Sequence, residues 1–246
     1  MPTFESESGF TQPQKDKRNF SLAIKIALSF LALLWLILMV DQYFDLQLNR
    51  FGLRPRDAAG LIGLLTAPLL HSGVAHLFSN SLPLVVSLTT ILYLYPNVSL
   101  RTLPIIWLGS GLLGWIIGRP NIHIGASGFV YGVLAFIFIS GVIRRDKRSI
   151  AVSLLVWFLY GSMVWGVLPI DMTMSWELHL SGAILGVAMA LYYRNWDRAP
   201  IKRYEWEGDD SIPDWYPDPE RDAERLAAQE REASEDDQTP RPPTIH

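Results

Sequence analysis

The chain has 246 residues, half of them hydrophobic, with a formal net charge of -3 and no cysteine. The missing cysteine excludes disulfides, thiolate metal sites and a cysteine nucleophile. The net charge averages two unlike parts: residues 1–203 are basic, whereas residues 204–246 are acidic, with Arg221, Arg225, Arg231 and Arg241 set against many Asp and Glu.

The apolar residues are gathered into long runs, which points to a membrane protein rather than a globular one. Residues 1–19 are polar, with Lys15, Lys17 and Arg18 just before the first run. That run, 20–40, is about 21 residues, enough to span a bilayer at ~1.5 Å rise per residue. It is longer than a signal-peptide core, and no small-x-small cleavage site follows, so an uncleaved span is expected. Lys25 lies one turn inside and can snorkel to the basic side. Residues 41–70 carry Arg50, Arg54 and Arg56 together with apolar pieces broken by Pro68. A connection this long is expected to be structured and partly embedded. Further spans are expected over 74–95, 102–118, 127 to just before Arg144, 149–168 and 176–193. Pro83 and Pro104 are tolerated in such helices.

Basic residues set the orientation. With the N-terminus in the cytoplasm, the inside holds Lys15, Lys17, Arg18, Arg101, the 144–148 cluster and Arg194 to Arg203. The outside holds Arg50, Arg54, Arg56 and Arg119. The expected fold is an all-α membrane protein, a six-helix transmembrane bundle with both termini cytoplasmic. Trp176, Tyr193 and Trp196 fall at the interfaces, as aromatic anchors do. The acidic tail reads as disordered, with a short charged helix possible over 220–233. The domain division is thus 1–19, a cytoplasmic segment; 20–195, the membrane domain; and 196–246, the cytoplasmic tail.

In this topology the spans beginning near 74, 127 and 176 all enter from the outer side. They carry His76 and Asn80, Ser127, and His179 at similar depth. Polar residues in spans are costly unless they face a protein or water-filled interior. Gly128 and Gly132, and Gly182 and Gly186, are two Gly-x-x-x-Gly pairs that let helix backbones approach closely. His179 projects from the Gly182 face, so a close crossing would bring its ring to the Ser127 hydroxyl. A serine needs a base to take its proton, and His179 can serve. No Asp or Glu lies in mid-span; Asp171 and Glu177 stand at outer edges. A Ser–His dyad is therefore expected rather than a triad. Tyr131, one turn from Ser127, can pack on the imidazole. Asn80, a His76 ring N–H and the Ser127 amide are candidate oxyanion donors. His123, four residues before Ser127, is a rival base. The plainer reading, that the glycines and the serine only pack helices, explains the glycines equally well but not the matched depths.

Three stretches together resemble the rhomboid family of intramembrane serine proteases. They are His71-Ser72-Gly73-Val74-Ala75-His76-Leu77-Phe78-Ser79-Asn80, Gly125-Ala126-Ser127-Gly128-Phe129-Val130-Tyr131-Gly132, and His179-Leu180-Ser181-Gly182-Ala183-Ile184-Leu185-Gly186. They come in the family's order on its second, fourth and sixth helices, and the resemblance covers about residues 20–195. It implies Ser127 as nucleophile, His179 as base, and an oxyanion site of Asn80, His76 and the Ser127 amide. Tyr131 would be stacked on His179, with Gly125, Gly128 and Gly182 in support and His71 fixing the loop. It implies substrates that are membrane-spanning proteins, cut near the outer face, and an enzyme of a bacterial plasma membrane. Neither cofactor, metal nor nucleic acid is implied; the bilayer itself is the partner. A catalytically inactive relative that binds membrane helices is the alternative reading. The Trp-Arg pair found in the first loop of many members is absent, and Arg54-Pro55-Arg56 stands there. The extra seventh span of some members is absent as well.

Overall fold

The computed structural model describes residues 12–144, 147–197, 223–224 and 226–227. Six longer helices carry the membrane domain, joined by short helical turns. They are α1 (Gln12–Phe44), α3 (Val74–Leu94), α4 (Pro96–Ile117), α5 (Ser127–Arg144), α6 (Lys147–Tyr160) and α7 (Trp176–Tyr192); α2 (Gly63–Thr66) is a single turn in the first loop. Among the described residues the protein is an all-α membrane protein, with one isolated bridge, Leu53 to His123, as its sole β pairing. Among the described residues, five segments are long and apolar enough to cross a membrane: Asp16–Phe44, Val74–Leu94, Pro96–Ile117, Ser127–Arg144 and Ser149–Val167.

The sixth expected span is shorter than that. α7 has 17 residues, about 25 Å at ~1.5 Å per residue, against a hydrocarbon core of ~30 Å. It need not match the bilayer alone, because it packs against both α5 and α4. α5 is the central helix: 56% of its apolar window is buried, against 17% for Ser149–Val167, which therefore faces lipid. The core around α5 includes Leu84, Ile91, Ile106, Val133, Phe136 and Ile137.

Three elements differ in their bounds from the sequence expectation. α4 starts at Pro96 rather than near 102. Proline presets the helical φ at a first position. The orphan amides of Asn97 and Val98 are then capped by the Asp197 carboxylate, at 3.1 and 2.9 Å. α1 runs well past 20–40 at both ends. The fifth span stops being α-helical at Tyr160 and continues as a tighter 3-10 segment, Gly161–Val167.

The first loop is ordered, as expected, through turns at Leu48–Phe51, Ala58–Ile62, Gly63–Thr66 and Ala67–Leu69. Arg56, in the stretch that replaces the Trp-Arg pair, donates from Nη1 to the carbonyls of Ile116 and Gly118 at 3.0 and 2.9 Å. The Trp115 indole N–H donates to the Asp57 carbonyl at 3.0 Å. The loop is thus tied to the end of α4. The chain divides by contacts into Met1–Ala199 and Pro200–His246. In the second unit residues 223–224 and 226–227 are helical; the disorder expected for the tail lies outside the described residues.

Candidate active site

α5 and α7 cross with their backbones in contact. A Cβ at Gly182 would fall on the carbonyl oxygen of Gly128, and one at Gly186 on that of Gly132. This approach carries the His179 ring to the first residue of α5: its Nε2 lies 2.7 Å from Ser127 Oγ. The other ring nitrogen, Nδ1, lies 2.9 Å from the Gly166 carbonyl oxygen. A carbonyl can only accept, so Nδ1 carries the hydrogen and Nε2 presents a lone pair to the Ser127 hydroxyl. The ring is held in plane as well: Tyr131 stacks on it with centroids 4.2 Å apart and an interplanar angle of 5°. The Tyr131 hydroxyl donates to the Met163 carbonyl at 2.8 Å, in the same 3-10 segment that supplies Gly166. His179 is 5% exposed.

The second flank of Ser127 is built by Gly125, His76 and Asn80. Gly125 has φ of +114°, a conformation that favours glycine. A Cβ there would lie 2.8 Å from His76 Nε2 and 3.9 Å from Ser127 Oγ. The edge of the His76 ring and the serine hydroxyl therefore face one small volume that only glycine leaves open. His76 Nδ1 lies 3.1 Å from Ser72 Oγ; with that hydroxyl donating, Nε2 carries the hydrogen towards the site. Asn80 is buried, and its amide nitrogen donates one hydrogen to the His76 carbonyl at 3.0 Å. Its second N–H is left for the site. As the first residue of α5, Ser127 has an amide with no intrahelical acceptor.

His71 sits behind this flank. Its Nε2 accepts the Ala126 N–H at 3.4 Å, and the Gly125 N–H donates to the Ala67 carbonyl at 2.9 Å. Together they hold the approach to Ser127 on the first loop. Burial, reinforced by His76 and opposed by the Leu69 carbonyl, pushes the His71 pKa down to about 4. The unfolded chain thus takes up a proton at His71 before the folded protein does. Its contribution is complete above about pH 6.5 and falls as pH drops towards 4, by about 1.4 kcal/mol per unit. Thermal melts at pH 7, 6 and 5 should show wild type losing stability over that window, with a shallower fall for His71→Asn. Equal slopes would remove His71 from this role.

A rhomboid domain model matches residues 58–196, more than half of the chain. The chain belongs to the rhomboid family. Uncharacterized proteins of Mycobacterium tuberculosis (strain H37Rv) and Mycobacterium bovis are each 38% identical to this rhomboid over 200 residues. The match covers 77% of this chain and 82% of each relative. One from Mycobacterium leprae is 34% identical over 172 residues, covering 66% of this chain and 68% of the relative. The fold and the family make this rhomboid a multi-pass integral membrane protein.

Two further residues of the rhomboid domain take positions that the sequence did not suggest. His123 is not beside the serine as a base. Its Nδ1 lies 2.8 Å from Ser175 Oγ and its Nε2 3.0 Å from the Arg119 carbonyl, so both nitrogens are engaged in fixing the loop. Glu177, expected at an outer edge, is fully buried. Its carboxylate is turned not to His179 but to Arg119, whose Nε and backbone N–H both donate to Oε1. The Arg119 guanidinium also donates to the Met174 carbonyl at 2.8 Å. The pair ties the start of α7, two residues before His179, to the end of α4. Removing the arginine strands a buried carboxylate. Arg119→Ala should therefore destabilise the fold by about 3 kcal/mol, read as a lowered melting temperature in detergent, with Glu177→Gln milder. An unchanged melt for Arg119→Ala would show the pair to be dispensable.

Proposed function

We propose that this rhomboid is an intramembrane serine endopeptidase that hydrolyses peptide bonds in or near the transmembrane segments of membrane-protein substrates. The reading rests above all on the 2.7 Å contact between Ser127 Oγ and His179 Nε2, with Nδ1 committed to Gly166. That is the tautomer a general base needs. Ser127 Oγ attacks the scissile carbonyl carbon while its proton passes to His179 Nε2. The new C–O bond forms, and the carbonyl electron pair moves onto oxygen. The Ser127 amide, Asn80 and His76 donate hydrogen bonds to that oxyanion. On collapse the C–N bond breaks, and the leaving amine takes the proton from Nε2. Water then adds to the acyl-enzyme by the same route, releasing a carboxylic acid and restoring the serine hydroxyl.

The domain proposal is a six-span protease domain over 20–195, with both termini cytoplasmic and the site near the outer face of a plasma membrane. The basic residues around 15–18, 144–148 and 194–203 support that orientation. The test is direct. Purified full-length protein is incubated with a panel of single-span membrane proteins, with a chelator present, and cuts are mapped by mass spectrometry. Cleavage at or near a span is the expected result. A folded protein that binds such substrates without cutting any would favour the inactive, helix-binding reading.

A further inference from the structure

The fifth span changes its helix type part-way. Lys147–Tyr160 is α-helical, and Gly161–Val167 continues as a 3-10 segment of 7 residues. Runs of that helix beyond about three or four residues are uncommon, because their hydrogen bonds are poorer, and within a longer helix they mark hinges or strain. Gly161 and Gly166 lower the helix propensity of the segment further. Two of its carbonyls are held from outside: Met163 accepts the Tyr131 hydroxyl at 2.8 Å, and Gly166 lies 2.9 Å from His179 Nδ1. The span that contains it, Ser149–Val167, is the least buried of the five apolar segments. Lipid rather than protein therefore surrounds most of it.

The two helix types differ in length and in winding. The segment is about 14 Å long as a 3-10 helix at ~2.0 Å per residue, and would be about 10.5 Å as an α-helix at ~1.5 Å per residue. The whole span is thus about 32 Å long as it stands and would be about 28 Å if wholly α-helical. Those lengths straddle a hydrocarbon core of ~30 Å. Each 3-10 residue also turns the chain by ~120°, against ~100° in an α-helix. With Gly161 held, conversion to the α form would swing the Gly166 carbonyl by about 100° and draw it back by about 2.5 Å. The Met163 carbonyl, nearer the pivot, would swing by about 40°. The α form therefore takes the Gly166 oxygen away from His179 Nδ1.

We propose that Gly161–Val167 is a switch set by bilayer thickness, which orients His179 in its 3-10 form and releases it in its α form. The inference rests on the Ser127–His179 dyad proposed above and names what regulates it. A thicker hydrocarbon core favours the longer 3-10 form, and a thinner one favours the α form. A mismatch of ~3.5 Å is worth about a 5-fold change in their populations. Once freed of the carbonyl, the imidazole can turn or take its other tautomer, and Nε2 no longer presents a lone pair to Ser127. The stimulus is a length, so neither a ligand nor a charge is required.

The chain has no cysteine, so spin labels go only where cysteines are introduced. Full-length protein with Val164→Cys and Ile116→Cys, both exposed positions, is reconstituted in dimyristoleoyl-, dioleoyl- or dierucoylphosphatidylcholine. The distance between the labels is read by double electron–electron resonance. The longest lipid should give one distance, and a second population should grow as the chains shorten. Leu82→Cys with Leu108→Cys, exposed on α3 and α4, is the reference pair and should not change. In the cysteine-free protein, fluorophosphonate labelling of Ser127 should be about 5-fold slower in the shortest lipid than in the longest. Gly161→Ala favours the α form, and its Cβ meets only the Trp157 ring, at 3.2 Å. It should slow labelling by about 5-fold in a given lipid. A Val164–Ile116 distance that is the same in all three lipids would overturn the proposal. So would a reference pair that shifts as much, or labelling that stays constant while the distance changes. Absence of labelling in every lipid would instead overturn the dyad, and the distance would still decide whether the segment switches.

Discussion

Ser127→Ala and His179→Ala should each abolish cleavage, and the double variant should be little worse than either single one. The hydroxyl and Nε2 form one proton path, 2.7 Å long, and either substitution removes all of it. Residues that act as a unit are grossly non-additive; loss of a serine nucleophile or its histidine costs on the order of 10⁶ in kcat in a soluble serine protease. Asn80→Ala should be milder, about 10²–10³, because it removes one of several oxyanion donors. A serine-directed fluorophosphonate should label Ser127 in the wild type and fail to do so in His179→Ala. All variants should remain folded, which a melting curve checks. Wild-type cleavage by Ser127→Ala would return Gly125 to Gly128 to a helix-packing role and end the proposed chemistry.

The second large effect is expected at Gly182, which never touches substrate. Its added methyl would fall on the Gly128 carbonyl oxygen. Neither atom can yield by a rotamer change, so α5 and α7 must separate. Overpacking of this kind costs about 1–3 kcal/mol. Because the two helices carry Ser127 and His179, the same shift stretches the proposed dyad, and a ~1 Å displacement can cost about 10² in rate. Gly182→Ala should therefore lose both stability and activity. Gly73→Ala is the matched control: its backbone is extended, and a Cβ there meets nothing within 4 Å. If Gly182→Ala melts and cleaves like wild type, the backbone contact is not what sets the dyad.

What the sequence revealed of this site was carried by side chains at fixed spacing. Ser127, His179, Asn80 and His76 could be placed at one depth because the spans and basic flanks were readable. The Gly-x-x-x-Gly pairs could be matched because close packing demands the smallest residue. The group that orients the base could not be read, since a main-chain carbonyl belongs to every residue. Gly166 was unmarked among the apolar residues around it. The carboxylate of Asp197 caps α4 from 100 residues away at Asn97, beyond any local capping pattern. Glu177 was placed only at the outer edge of a span. Only the fold brings Arg119, 58 residues distant, against it. The early stop of α6 was hidden for a similar reason: the apolar run continues unbroken through the 3-10 segment.

That Gly166 carbonyl has a bearing on how the proposed chemistry would work inside a bilayer. A carboxylate placed behind the imidazole would need to stay ionised where water is scarce, and each buried ion costs several kcal/mol even after relaxation. A peptide dipole fixes the same tautomer while carrying no net charge. It has no proton to gain at low pH and no counter-ion to lose at high salt. Nor is it a side chain that substitution can delete: a Cβ at Gly166 would fall on the Tyr131 hydroxyl and displace that ring, but the oxygen stays on the chain. The orienting function thus lies in the path of the backbone: it lasts as long as the turn that presents the Gly166 oxygen to the imidazole.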